Sequence, residues 1–180
     1  MTLVEVMVSF LVLTVAVFML SSTITASIAH TDSKRERAMA VEAAMNVLER
    51  MRAMPFEDLF ALYNSVGSDD PGGPGSAPGK FFNVPGLDPI PVPPPKEGPP
   101  PPNFVGEIIL PGPGPELIET LSLQSLGLPR DLNGDLAVRS DDVAKTYKIL
   151  PVLVRLRWQG SGGPRTLEIP TIFSGMEKLR

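Results

Sequence analysis

The 180-residue chain has no cysteine and a single histidine. Without cysteine there is neither a disulfide framework nor a thiol nucleophile. The lone His30 closes the longest apolar run, so serine hydroxyls in the C-terminal part have no imidazole base. Phosphate-cradling GxxxxGK and GxGxxG motifs are missing, and so is any Asn-x-Ser/Thr sequon. Acids do pair as Asp69–Asp70 and Asp141–Asp142, but sequence neighbours make loop acids rather than a general acid and base facing one substrate. A formal net charge of −4 and a pI near 5.0 argue against a nucleic-acid partner. The expectation is a protein that is not an enzyme.

Charge is scarcest at the start, where Glu5 is the only charged side chain in the first 29 residues. From Val6 to Ala29 the chain runs 24 residues without a formal charge. That is about 36 Å of helix at 1.5 Å per residue, enough to cross a bilayer. The polar members of the run are small hydroxyls, which bond back to helical carbonyls. A secretory signal would need a basic n-region, a shorter apolar core and a small-residue cleavage site, and nothing basic precedes this run. A carboxylate in hydrocarbon costs about 2.5–3.5 kcal/mol unless it is paired. The nearest cation for Glu5 is the α-amino group of Met1, its own or that of a neighbouring copy.

Lys34, Arg35 and Arg37 follow the run and no positive side chain precedes it. The positive-inside rule would then hold the rest of the chain in the cytoplasm. The conflict disappears if a short basic leader has been removed and Met1 is a mature N-terminus.

The opening MTLVEVMVSFLVL resembles the mature N-terminus of type IV pilins and type II secretion pseudopilins: an apolar first residue, Thr-Leu, an aliphatic, then Glu at the fifth place. Asn46 to Leu59, NVLERMRAMPFEDL, is similar to the end of the first helix in the minor-pilin branch. The resemblance implies cleavage by a prepilin peptidase, N-methylation of Met1, and compensation of a neighbour's N-terminal charge by Glu5 during assembly. Pilins often carry a proline near position 22, where this chain has Ser21, Ser22 and Thr23.

Thr31 to Ala53 holds no glycine or proline and is rich in helix formers. Val41, Ala44 or Met45, Leu48 and Met51 recur at helical spacing as one apolar stripe, with Glu42, Asn46, Glu49 and Arg50 elsewhere. Pro55 ends the element, because the residue before a proline avoids the helical region. The charged collar from Asp32 to Arg37 reads as a solvated face, since exposed ion pairs are individually weak.

Residues 67–116 hold 16 of the 21 prolines and 10 of the 16 glycines. Such a block is expected to be mostly loop, with polyproline II stretches such as PVPPPKEGPPPP from Pro91 to Pro102. Strand signals follow. In Tyr147 to Trp158, Val152, Val154, Leu156 and Trp158 share one face and Arg155 and Arg157 the other. After the GSGGP turn, Leu167 and Ile169 share the buried face of a second strand. Pro151 and Pro170 would restrict both strands to edge or terminal positions. Phe104–Leu110 and Glu116–Leu126 can add strands.

The expected fold class is α+β: a long N-terminal helix packed on a small C-terminal antiparallel sheet, with a Pro/Gly-rich loop between. The divisions are 1–54 for the helix (1–29 as transmembrane or filament core), 55–66 as connection, 67–116 as loop, and 117–180 as head. One constellation has metal-ligand spacing. Asp131, Asn133, Asp135 and Asp142 stand at places 1, 3, 5 and 12 of a calcium loop, where hard oxygen ligands are needed. DLNGDLAVRSDDV also resembles a dockerin-type calcium repeat, departing at Leu136, where glycine is usual, and at Arg139. The alternative is an Asn-Gly turn flanked by solvated acids. No cofactor is otherwise required.

The functional expectation is a pilus-like filament subunit, with Met1 and Glu5 as its assembly residues. The partners expected are further copies, other pilins, the prepilin peptidase and the assembly machinery. It would sit in the inner membrane before assembly, then in a surface filament, or in the periplasm for a pseudopilus. A major pilin, a minor pilin and a pseudopilin are not separated by sequence. A monomeric membrane-anchored binding domain is the competing class.

Overall fold

A computed structural model describes residues 2–92, 103–112 and 114–175. The uninterrupted run of helix formers becomes one helix, α1, Leu3–Ala53, of 51 residues. Its hydroxyls bond back to carbonyls four residues earlier: Ser9 to Glu5 at 2.8 Å, Thr14 to Phe10 at 2.8 Å and Thr23 to Met19 at 2.9 Å. Most hydroxyls in the apolar half are therefore satisfied within the helix. The helix also continues unbroken through Ser21–Thr23. It stops where Met54 turns extended ahead of Pro55.

Only the second half of α1 meets the head. Its buried residues are Ala40, Ala44, Val47, Leu48 and Met51. Of the stripe expected from the sequence, Ala44, Leu48 and Met51 are buried and Val41 is half-buried; the alternative Met45 is exposed, and Ala40 and Val47 join the centre. Ala40 and Ala44, both fully covered, let the helix approach the sheet closely, and larger side chains fall to the flanks. A short 3-10 turn, Phe56–Asp58, and a helix α2, Leu59–Tyr63, follow.

The sheet is antiparallel with five strands: β1 Phe81–Phe82, β2 Asp88–Pro89, β3 Gly106–Ile109, β4 Ile149–Gly160 and β5 Gly163–Ser174. The architecture is α+β, a long helix on a small antiparallel sheet. The alternation in β4 places Leu150, Val152, Val154, Leu156 and Trp158 in the core, each large apolar side chain contributing about 1.5–3 kcal/mol on burial. Arg157 lies exposed on the opposite face. Leu167 and Ile169 pair with Leu156 and Val154 and are half-buried. At Gly106 an added Cβ would lie 2.2 Å from the Phe82 ring; glycine is what lets that ring cross β3.

Three of the five strands arise inside the 67–116 block, so its prolines interrupt pairing without preventing it. From Pro93 to Pro102 the polyproline expectation lies outside the described residues. β4 is the central strand, not an edge, with β3 and β2 along one side and β5 along the other. The register explains how it tolerates Pro151. The Arg157 N–H reaches the Val105 carbonyl at 2.7 Å, so odd-numbered nitrogens of β4 face β3. Pro151 therefore aims its missing donor past the end of β3, whose last pair is Ile109 with Leu153. Opposite odd positions of β4, Pro164 and Pro170 face the unpaired edge of β5.

The segment Glu116–Leu126 does not form a strand. It contributes one bridge, Ile118 to Asp142, and a 3-10 turn at Gln124–Leu126. Its polar groups are used otherwise. The Leu117 N–H donates to Asp142 at 2.9 Å, and Glu119 turns inward to hold another loop.

Candidate functional site

Two regions carry chemistry worth building up: α1 itself and the loop from Asp131 to Asp142. Residues 3–29 of α1 are exposed throughout. Leu3 is 77% exposed, Phe10 70%, Phe18 75% and Ile24 53%. So large an apolar surface calls for a nonaqueous partner. This stretch of α1 is long and apolar enough to cross a membrane.

At its start the carboxylate of Glu5 accepts the Thr2 backbone N–H at 3.3 Å, and the Thr2 hydroxyl accepts the Glu5 N–H at 3.4 Å. This is a capping box, which satisfies two otherwise orphaned helical donors. Met1 lies outside the described residues, so its amine is not placed. The Thr-x-x-Glu spacing was available in the sequence as a helix-start signal, beside the charge argument.

The collar does not form a uniformly solvated face. Lys34, Arg35 and Arg37 are exposed, but Glu36 is half-buried and holds the head. Its carboxylate accepts the Ser161 N–H at 3.0 Å and the Trp158 indole N–H at 3.3 Å, and lies 3.7 Å from the Arg165 Nε. Gly160 makes room for this clasp, since a Cβ there would stand 2.5 Å from a Glu36 oxygen. Foremost the Ser161 N–H holds the Glu36 carboxyl below the ordinary glutamate range. Desolvation opposes this, and Trp158 and Arg165 add to it.

In the acidic loop, Asp131, Asn133 and Asp135 each accept N–H groups of the loop's own backbone. Asp131 takes Gly134 at 2.6 Å and Leu136 at 2.8 Å; Asn133 takes Asp135 at 2.9 Å; Asp135 takes Ala137 at 2.9 Å. Desolvation raises the Asp131 carboxyl, but the donors of Gly134 and Leu136, then Asp135 and Asn133, outweigh it and keep it below the usual range. Leu136, 96% exposed, has φ of 66°, the left-handed conformation for which glycine is the usual residue.

Asp142 is not brought in with the other three on this hydrogen bonding: one oxygen, Oδ1, accepts from both Leu117 and Ala144. Arg139, the second departure from the calcium pattern, pairs with Asp135 at 3.4 Å. Among the described residues no three His, Cys, Asp or Glu side chains converge with metal geometry. Asn133 would have to complete the set.

Glu119 is the residue that sequence reasoning missed here. It is 1% exposed, and its carboxylate accepts the N–H groups of Leu132, Asn133 and Arg139 at 2.7, 3.3 and 3.1 Å. A buried acid is retained where hydrogen bonds replace its hydration, and here they bind both arms of the loop to the core. Neither a family model, nor a curated protein, nor a solved structure matches the chain.

Proposed function

We propose that this chain is a structural subunit of a type IV pilus-like filament, held in the inner membrane by the apolar half of α1 and polymerising through it. The observation that supports the reading is α1 itself. Some 27 residues, Leu3 to Ala29, present apolar surface in every direction, and the same rigid helix continues into the head. Bundling of such helices removes that surface from water at about 25 cal/mol per Å². In this reading Glu5 neutralises the Met1 amine of a neighbour, which sets axial register. Prepilin peptidase processing, methylated Met1, other pilins and an assembly machinery belong to the same proposal, as does the final location in a surface filament or periplasmic pseudopilus. The reading gives the chain no catalytic step.

A second reading, a monomeric membrane anchor, draws on the capping box, because Thr2 gives Glu5 a use within one chain. Electron microscopy of the native assembly, with mass spectrometry of its N-terminal peptide, tests the choice. Helical filaments whose subunits begin at a methylated Met1 are expected. Dispersed single molecules overturn the filament.

Calcium is proposed for the acidic loop on the left-handed backbone of Leu136, which stands at the sixth place of the pattern. Asp131, Asn133, Asp135 and Asp142 would supply hard oxygen ligands. The cation would offset the repulsion among the three carboxylates and tie the loop to the segment at Leu117.

A further inference from the structure

We propose that Lys34, Arg35 and Arg37 of α1, with Arg165 of β5, form a basic ring that binds the anionic headgroups of the membrane holding the apolar half of α1. The proposal rests on that half lying in a bilayer and does not require polymerisation.

The ring follows from helical geometry. Glu36 faces the head through Ser161 and Trp158. At 3.6 residues per turn, Arg35 and Arg37 then flank the head side and Lys34 lies roughly opposite it. All three are exposed, and among the described residues none makes an ion pair. Arg165 closes the side occupied by the head. The hairpin carries it to Glu36, with 36% of its side chain exposed. Two acids share the same stretch. Glu36 is engaged by Ser161, Trp158 and Arg165, while Asp32 is exposed. Four basic groups against these two leave the ring net positive.

Depth supports the same occupant. Lys34 to Arg37 begin five residues beyond Ala29 and end eight beyond it, about 8–12 Å along the axis. The headgroup layer adds roughly 5–8 Å to each side of the hydrocarbon, and the long side chains span what remains. Fixed cations at that depth meet the negative surface potential of anionic lipid directly. The Glu36 clasp keeps the hairpin tip at this level, so ring and head move as one body.

Trp158, the only tryptophan of the chain, touches Glu36 and serves as a built-in energy donor. The full chain is reconstituted in vesicles of phosphatidylcholine and phosphatidylglycerol. Traces of dansyl-labelled phosphatidylglycerol or dansyl-labelled phosphatidylcholine serve as acceptors. Transfer from Trp158 is expected to favour the anionic label by about fivefold or more in effective affinity, the factor one juxtamembrane basic residue supplies. The triple variant K34Q/R35Q/R37Q is expected to fall to parity while still floating with the vesicles and keeping the Trp158 emission maximum. Inorganic phosphate exchanged for chloride at matched ionic strength should leave the preference intact; its loss in phosphate alone would mean a free-phosphate site and overturns the lipid assignment. Equal transfer to both labels in floating vesicles overturns the proposal alone. A chain that does not float overturns it together with the membrane reading.

Discussion

Glu36 accepts the backbone N–H of Ser161 at 3.0 Å across 125 residues of sequence. The contact joins the turn of α1 just beyond its apolar run to the hairpin tip, where Trp158 and Arg165 complete it. Glu36→Ala should destabilise the detergent-solubilised chain by about 1–2 kcal/mol, because hydrogen bonds to a carboxylate are lost at a site open enough to be screened. Its pKa is lowered in the fold. The contribution is therefore fully present above the unfolded glutamate value and disappears as pH falls through the folded one. Urea midpoints of parent and variant should converge below about pH 4. A constant gap down to pH 3 removes the carboxylate from the account.

Glu5 has two candidate uses, a local cap on Thr2 and the neutralisation of a neighbour's amine, and substitution separates them. Glu5→Gln keeps an oxygen that can accept the Thr2 N–H but removes the charge. Glu5→Ala removes both. If charge compensation sets assembly, both variants should insert in membranes normally and both should fail to form filaments on electron micrographs. Filaments from Glu5→Gln in normal number would assign Glu5 to the cap and withdraw the charge from the assembly step.

The parts legible in the sequence were those whose signal is local. An apolar run without glycine or proline gave α1, and the alternation from Val152 to Trp158, apart from Leu153, gave the hairpin. Contacts between distant segments were not legible. Glu36 sits among Lys34, Arg35 and Arg37, where any acid looks solvated, and its partners stand 122 to 125 residues away. Glu119 gives no periodic signal, since its role is to accept donors from another loop. Phe81 and Phe82 are too short a strand to stand out from the surrounding prolines, and they pair only because Gly106 admits a ring. The apolar stripe was legible at Ala44, Leu48 and Met51 but not at Ala40, because hydrophobicity ranks Val41 and Met45 above it, whereas close helix–sheet approach favours the smaller side chain. Leucine at position 136 conceals the left-handed turn that glycine would have announced.

Tyr147 fastens the connection after α1 to the head. Its hydroxyl donates to the Phe56 carbonyl and accepts the Phe60 N–H, and its ring lies 4.8 Å from that of Phe56. Tyr147→Phe keeps the ring contact and leaves the Phe60 N–H without its acceptor, while the Phe56 carbonyl keeps only the Leu59 N–H, so a loss of about 1–2 kcal/mol is expected in thermal or urea unfolding. Burial pushes the phenol up to about 12, with the charges of Asp58 and Glu57 adding and the Phe60 donor opposing. A raised folded value means stability is intact below about pH 10 and declines as pH rises from there toward 12. The Phe variant should show a shallower alkaline decline, as read by midpoints between pH 9 and 12. Identical slopes would place the alkaline sensitivity elsewhere.

Leu136 is the only non-glycine residue at positive φ among the described residues, and its exposed side chain gains little from burial. Left-handed backbone costs an L-residue about 1–2 kcal/mol relative to glycine, whose larger loss of chain entropy on folding returns part of that. Leu136→Gly should therefore raise stability by about 0.5–1 kcal/mol in calcium-free buffer. The same substitution supplies the glycine expected at the sixth place of a calcium loop, so calcium should raise the melting temperature of the parent and raise that of the variant more. Asp131→Ala tests the ligand set. It removes the acceptor of Gly134 and Leu136 and should lower the melting temperature with or without calcium, while abolishing any increase that calcium brings. Parent and Leu136→Gly melting curves that coincide in calcium and in chelator would reduce the loop to a hydrogen-bonded turn, with Asp131 its anchor.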